Sequence, residues 1–142
     1  MTEFKAHLTT FRRNNEDHPV TYIETLQVKE GVECDTYSFV GDATQDLAIV
    51  RVTKGFKTPL QRILQGNKTV EGFFAGKGTL TVQTEDGTTN TYQLDANSPK
   101  EVEVTVGQLM QWTAPADTDL TFYEICDPPY QDGRFKDLPE DT

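Results

Sequence analysis

Turn signals recur every eight to twelve residues along this chain, and no segment keeps a helical period over three turns. Between the turns lie short segments rich in β-branched and aromatic residues. Val20–Val28, bounded by Lys29-Glu30-Gly31, and Thr36–Val40, stopping at Gly41-Asp42, both read as strands. Leu47–Thr53 is a near-continuous apolar run, the pattern of a strand covered on both faces. Val70–Ala75 leads through Gly76-Lys77-Gly78 into Thr79–Thr84, which alternates cleanly. Asp86-Gly87 tolerates positive φ and so predicts a tight hairpin, with Thr89–Leu94 as the return strand. Val102–Val106, Leu109–Trp112 and Leu120–Cys126 follow, and Asp127-Pro128-Pro129 ends the β region because proline cannot donate to a ladder. Eight to ten such strands predict an all-β sandwich or barrel. Patterning alone leaves a jelly roll, a lipocalin-like barrel and an immunoglobulin-like sandwich all open.

The 142 residues suit one domain. Residues 1–19 read as a polar N-terminal arm, a short helix or an extended segment; 20–128 as the barrel; 129–142 as a polar, irregular tail. Eight Phe, five Tyr and one Trp suffice for a single core. Acidic residues outnumber basic ones 23 to 13, for a formal net charge of −10, a surface that repels nucleic acid and anionic membranes. The best basic cluster, Arg12-Arg13, is followed at once by Glu16-Asp17. Mean hydropathy is −0.58 and no run approaches the ~20 apolar residues of a membrane span. Met1-Thr2-Glu3-Phe4-Lys5 has no secretory pattern, so a cytoplasmic location is expected. The two cysteines, Cys34 and Cys126, form no CxxC, and each is expected as a small buried thiol.

From Leu47 to about Pro129 the chain resembles the cupins, small double-stranded β-helix (jelly-roll) barrels. Glu71 and Gly78 stand at the family's Glu-to-Gly spacing, followed by Thr79-Leu80-Thr81-Val82. Gly55 matches the leading glycine of the first motif, Val104-Thr105-Val106-Gly107 the turn that opens the second, and Ile125–Tyr130 with Gly133-Arg134-Phe135 the Pro-Pro exit. The resemblance implies a cupin-like barrel and, ordinarily, a metal held by two His and a Glu from the first motif and a His from the second. Here the histidine slots fall on Gln61 and Ile63 counted from Gly55, and near Leu64 or Gln65 and Gly66 or Asn67 counted back from Glu71. In the second motif the slot falls on Thr118. The only histidines are His7 and His18, both near the N-terminus. Imidazole is the usual nitrogen ligand of zinc, iron, nickel and copper, so no metal and no cofactor are expected.

Glu71, between Val70 and Phe73-Phe74, is the candidate catalytic group: burial inside a barrel would raise its pKa toward acid–base use. Arg51 would need a carboxylate, Glu71 or Glu124, or an anionic ligand. Gln61 and Arg62 are placed at the mouth of a pocket, and Phe73, Trp112 and Tyr123 among the aromatics that form the core or stack on a flat ligand. Tyr123 and Glu124 point to opposite faces of a regular strand, so only one of them joins a given site. Three functions follow: a module binding a small polar or carbohydrate-like molecule without a transition metal; a metal-independent sugar or small-acid isomerase or epimerase; and a structural or regulatory homodimer with a filled barrel. In the resemblance, small cupins dimerise through N-terminal strands, and residues 20–40 have suitable strand character.

Overall fold

The computed structural model describes residues 7–131 and 133–139; the Met1–Lys5 reading and the last residues of the tail lie outside them. Eleven strands follow one another: β1 (Thr10–Arg13), β2 (Glu16–Lys29), β3 (Val32–Phe39), β4 (Asp42–Val52), β5 (Gln61–Ile63), β6 (Lys68–Gln83), β7 (Thr89–Asp95), β8 (Glu101–Thr105), β9 (Leu109–Thr113), β10 (Leu120–Asp127) and β11 (Phe135–Asp137). Every named pairing is antiparallel. Among the described residues no helix is long and apolar enough to cross a membrane.

The long strand β6 makes this a jelly roll. Its first half pairs with β10 on one side and β8 on the other; its second half pairs with β7 and β9. One sheet therefore runs β2-β3-β4-β10-β6-β8 and the other β7-β6-β9-β5-β11, with β6 passing between them. The change of sheet occurs near Gly76, whose φ of +83° and close approach to Asp119 require glycine: a Cβ there would sit 2.0 Å from the Asp119 carbonyl oxygen.

Around β4 and β10 the first sheet is buried on both faces, which explains the near-continuous apolar character of Leu47–Thr53. Its inner face, with Val50, Val52, Leu120 and Phe122, packs against Ile63, Leu80, Val82, Met110 and Trp112 of the second sheet. Its outer face, with Tyr37, Leu47, Ile49, Val70, Tyr123 and Ile125, is covered by Phe11 and Val20. Phe11 stands edge-on to Tyr123 at 5.0 Å between ring centroids. Burying one such ring contributes about 2 kcal/mol and ties the N-terminal segment down.

At the chain ends the structure decides one open alternative and changes one expectation. The polar stretch before Val20 is extended: β1 and β2 form a two-residue hairpin at Asn14-Asn15, both at positive φ, which asparagine tolerates better than most residues. The tail is not irregular: β11 pairs with β5, and buried Arg134 donates to the carbonyls of Lys68, Asp127 and Pro128.

Candidate functional site

Alternation along β6 sends Thr69, Glu71 and Phe73 to the inner face. Between them Gly72 leaves its outer side open, and Tyr123 lies so closely over it that a Cβ would meet the ring at 2.0 Å. The antiparallel register sets Glu71 opposite Glu124 and Thr69 opposite Cys126. Glu71 is 0% exposed. Its Oε1 accepts a hydrogen bond of 2.9 Å from the indole Nε1 of Trp112, which is carried by β9 of the facing sheet, so this bond spans the barrel. Trp112 itself stacks on Phe122 at 4.4 Å. Glu71 Oε2 has no hydrogen bond to an N–H donor; the groups against it are the Glu124 carboxyl and the Thr69 hydroxyl.

Two carboxyls in contact inside an apolar barrel cannot both ionise near neutral pH. Burial raises the Glu71 pKa well above the usual carboxylate range, and the charge of Glu124 raises it further against the opposing Trp112 bond. Burial raises Glu124 as well, while the hydrogen bond from Glu71 pulls it back. Of the two, Glu71 is the one raised well above the usual range, so it holds a proton more readily than Glu124. No salt bridge reaches either among the described residues.

Glu124 is the member that meets open space. It lines a cavity of about 530 Å³ between β2-β3-β4-β10 and the β5–β11 edge. Apolar walls come from Val32, Val50, Phe122 and Phe135, polar ones from Thr36, Asp46, Thr58, Gln61 and Glu124, and the rim from Ile23, Leu26 and Val28 of β2. Trp112 and its neighbours fill the rest of the barrel, so the interior is part core and part cavity. Asp46 accepts the backbone N–H of Tyr130 at 2.9 Å, and burial raises its pKa.

The sequence-selected residues fall into three groups. Glu71, Trp112 and Phe73 lie on the inner side of the sheets, where Glu71 and Trp112 touch, and Gln61 lines the cavity while donating to Asp137 at 3.0 Å. Arg62 alternates away from Gln61 and donates to the Gly107 carbonyl at 2.9 Å. Arg51 and Tyr123 occupy the outer face of the first sheet. Arg51 pairs with neither Glu71 nor Glu124 but makes a bidentate contact with Asp35 at 2.6 and 3.0 Å, because the register sets it on the face opposite both glutamates. The Tyr123 hydroxyl donates to Glu101, which also takes a bidentate contact from Arg13. The sequence singles out no role for Asp46, and offers Glu124 only as a partner for Arg51 or as the alternative to Tyr123 in a site. The alternation Phe122-Glu124-Cys126 was the available signal for Glu124; the facing of Glu71 and Glu124 is a matter of register.

Cys34 and Cys126 are free thiols on the inner face, Cys34 partly buried at the cavity and Cys126 buried, and desolvation pushes Cys34 up to about 12 and Cys126 upward as well. Neither is an activated nucleophile. The donor set around Glu71 does not fit a transition metal: it offers a second carboxyl, a hydroxyl and an indole N–H that donates rather than ligates. His7 stacks on Tyr22 and His18 stands edge-on to Phe39, both away from the cavity. Among the described residues no three His, Cys, Asp or Glu side chains cluster closely enough to hold an ion.

No family model and no curated protein matches the sequence. Solved structures do match. One of oxalate decarboxylase, described for its substrate binding mode, superposes with a TM-score of 0.68 at 22% identity, covering 82% of this chain and 30% of that one. The Bacillus subtilis oxalate decarboxylase described for its Mn(II) centres gives a TM-score of 0.65 at 23% identity, covering 78% of this chain and 29% of that one. The chain thus spans less than a third of the length of these neighbours. At this identity the likeness concerns architecture, and together with the path of β6 it establishes that this chain has an all-β, cupin-like jelly-roll barrel fold.

Proposed function

We propose that this protein binds a small polar or carbohydrate-like molecule inside the barrel without a transition metal. The observation that carries the reading is the cavity of about 530 Å³, within the range of small-molecule sites, with apolar walls interrupted by a few convergent polar groups. Gln61, Asp46 and Glu124 supply hydrogen-bonding positions, and Phe122 and Phe135 supply flat apolar contact. Native mass spectrometry of untagged protein should reveal a bound small molecule, or uptake of one from a metabolite pool, with well below one equivalent of zinc, iron, nickel, copper or manganese by elemental analysis. Stoichiometric metal, or a barrel that takes up nothing, refutes the reading.

The Glu71–Glu124 pair favours a second reading, a metal-independent isomerase or epimerase acting on a sugar or small acid. Glu124 would take a proton from the substrate, and Glu71 behind it would hold the proton that sets the charge of the pair. In that case Glu124→Gln abolishes turnover while the fold persists, and Glu71→Gln, which copies a protonated carboxyl, spares most of it.

A further inference from the structure

The cavity's charge is one-sided. Glu24, Asp46 and Glu124 line it, and no Lys, Arg or His is among its lining residues. Of the three carboxylates, Glu24 stands at the rim and Asp46 is engaged by the Tyr130 N–H. Among the described residues Glu124 takes a 3.6 Å contact from the Cys126 thiol and faces Glu71, with the charge of Arg134 lowering it from a distance. Behind it Glu71 Oε2 is fully buried and reached by no N–H donor. One proton neutralises one of these two carboxyls. The charge that remains faces the cavity in surroundings of low dielectric, where a carboxylate without a donor is disfavoured.

We propose that the cavity is selective for an organic cation: an ammonium group docked on Glu124, its apolar body lying against Val32, Val50, Phe122 and Phe135. This rests on the binding reading above and narrows its ligand class. An ammonium supplies the donors that Glu124 lacks and cancels the charge that the shared proton leaves. The face of Phe122, backed by the stacked Trp112, adds a favourable surface for a cation. An anion such as a dicarboxylate meets the carboxyls of Glu24, Asp46 and Glu124, while the one guanidinium that acts on Asp46 and Glu124, that of Arg134, is buried and donates to backbone carbonyls.

Isothermal titration of the full chain at pH 7.5 with cyclohexylammonium, cyclohexanol and cyclohexanecarboxylate tests this, because the probes share a shape and differ in charge. Cyclohexylammonium is expected to bind about tenfold or more tightly than cyclohexanol, and the carboxylate not at all. Glu124→Gln should remove most of that preference. The wild-type series stands by itself should the variant fail to fold. Alcohol or carboxylate binding as tight as the ammonium overturns the cation inference and leaves the binding reading intact. No heat with any probe overturns the cation inference, and if nothing is taken up from a metabolite pool either, the binding reading falls with it.

Discussion

Glu71→Gln isolates the shared proton. The amide copies the shape of the protonated carboxyl: its oxygen still accepts from Trp112 Nε1, and its NH₂ donates to Glu124 as the proton on Glu71 does. Folding raises the Glu71 pKa above its unfolded value, so between those two values the native chain holds a proton that the unfolded chain has released. Native stability therefore falls as pH rises through that window, by up to about 1.4 kcal/mol per pH unit for one proton. Glutamine does not titrate. The variant should match the wild type within about 0.5 kcal/mol near pH 4.5 and gain on it steadily toward neutral pH. Glu71→Leu serves as control, because it strands the buried Trp112 N–H at a cost of about 1–3 kcal/mol at every pH. Urea denaturation of the three proteins from pH 4.5 to 8.5 reads the differences directly. Parallel wild-type and glutamine stability curves, or a glutamine variant destabilised as much as the leucine one throughout, would refute the shared proton.

Three other outcomes are expected. Arg51→Ala should cost about 1–2 kcal/mol, discounted because the guanidinium is partly exposed, and leave probe binding unchanged, since Arg51 lies on the outer face; lost binding in a folded variant would contradict that placement. Ellman's reagent at pH 8 should label the two cysteines rapidly only after denaturation, because a thiol pushed up to about 12 is almost wholly protonated there; fast labelling of the native protein would put a thiol in solvent. We propose that the unpaired edge of β2 beyond Val20, with exposed Ile23, Leu26 and Val28, joins two copies. Light scattering should then give twice the 16.0 kDa chain mass, and a mass near 16.0 kDa over a wide concentration range would sink the dimer.

The all-β architecture was legible because strand chemistry is local. β-branched alternation and turn residues such as Asp86-Gly87 report the backbone within a few positions, and the choice of a jelly roll among all-β folds came from the resemblance carried by Glu71 and Gly78. Burial of Glu71 could be suspected from its apolar neighbours Val70 and Phe73. The Asn14-Asn15 hairpin was equally local but its polar flanks masked it.

The site itself was decided by the tertiary structure. Period-2 alternation puts Tyr123 and Glu124 on opposite faces, yet it does not say which face turns inward. That choice belongs to the packing of Phe11 over Tyr123 on one side and Trp112 over Phe122 on the other. The meeting of Glu71 with Glu124 joins residues 53 positions apart through strand register, and the Trp112 bond crosses between sheets. Side-chain period is written in sequence; register and the facing of two sheets emerge only when both cores pack at once.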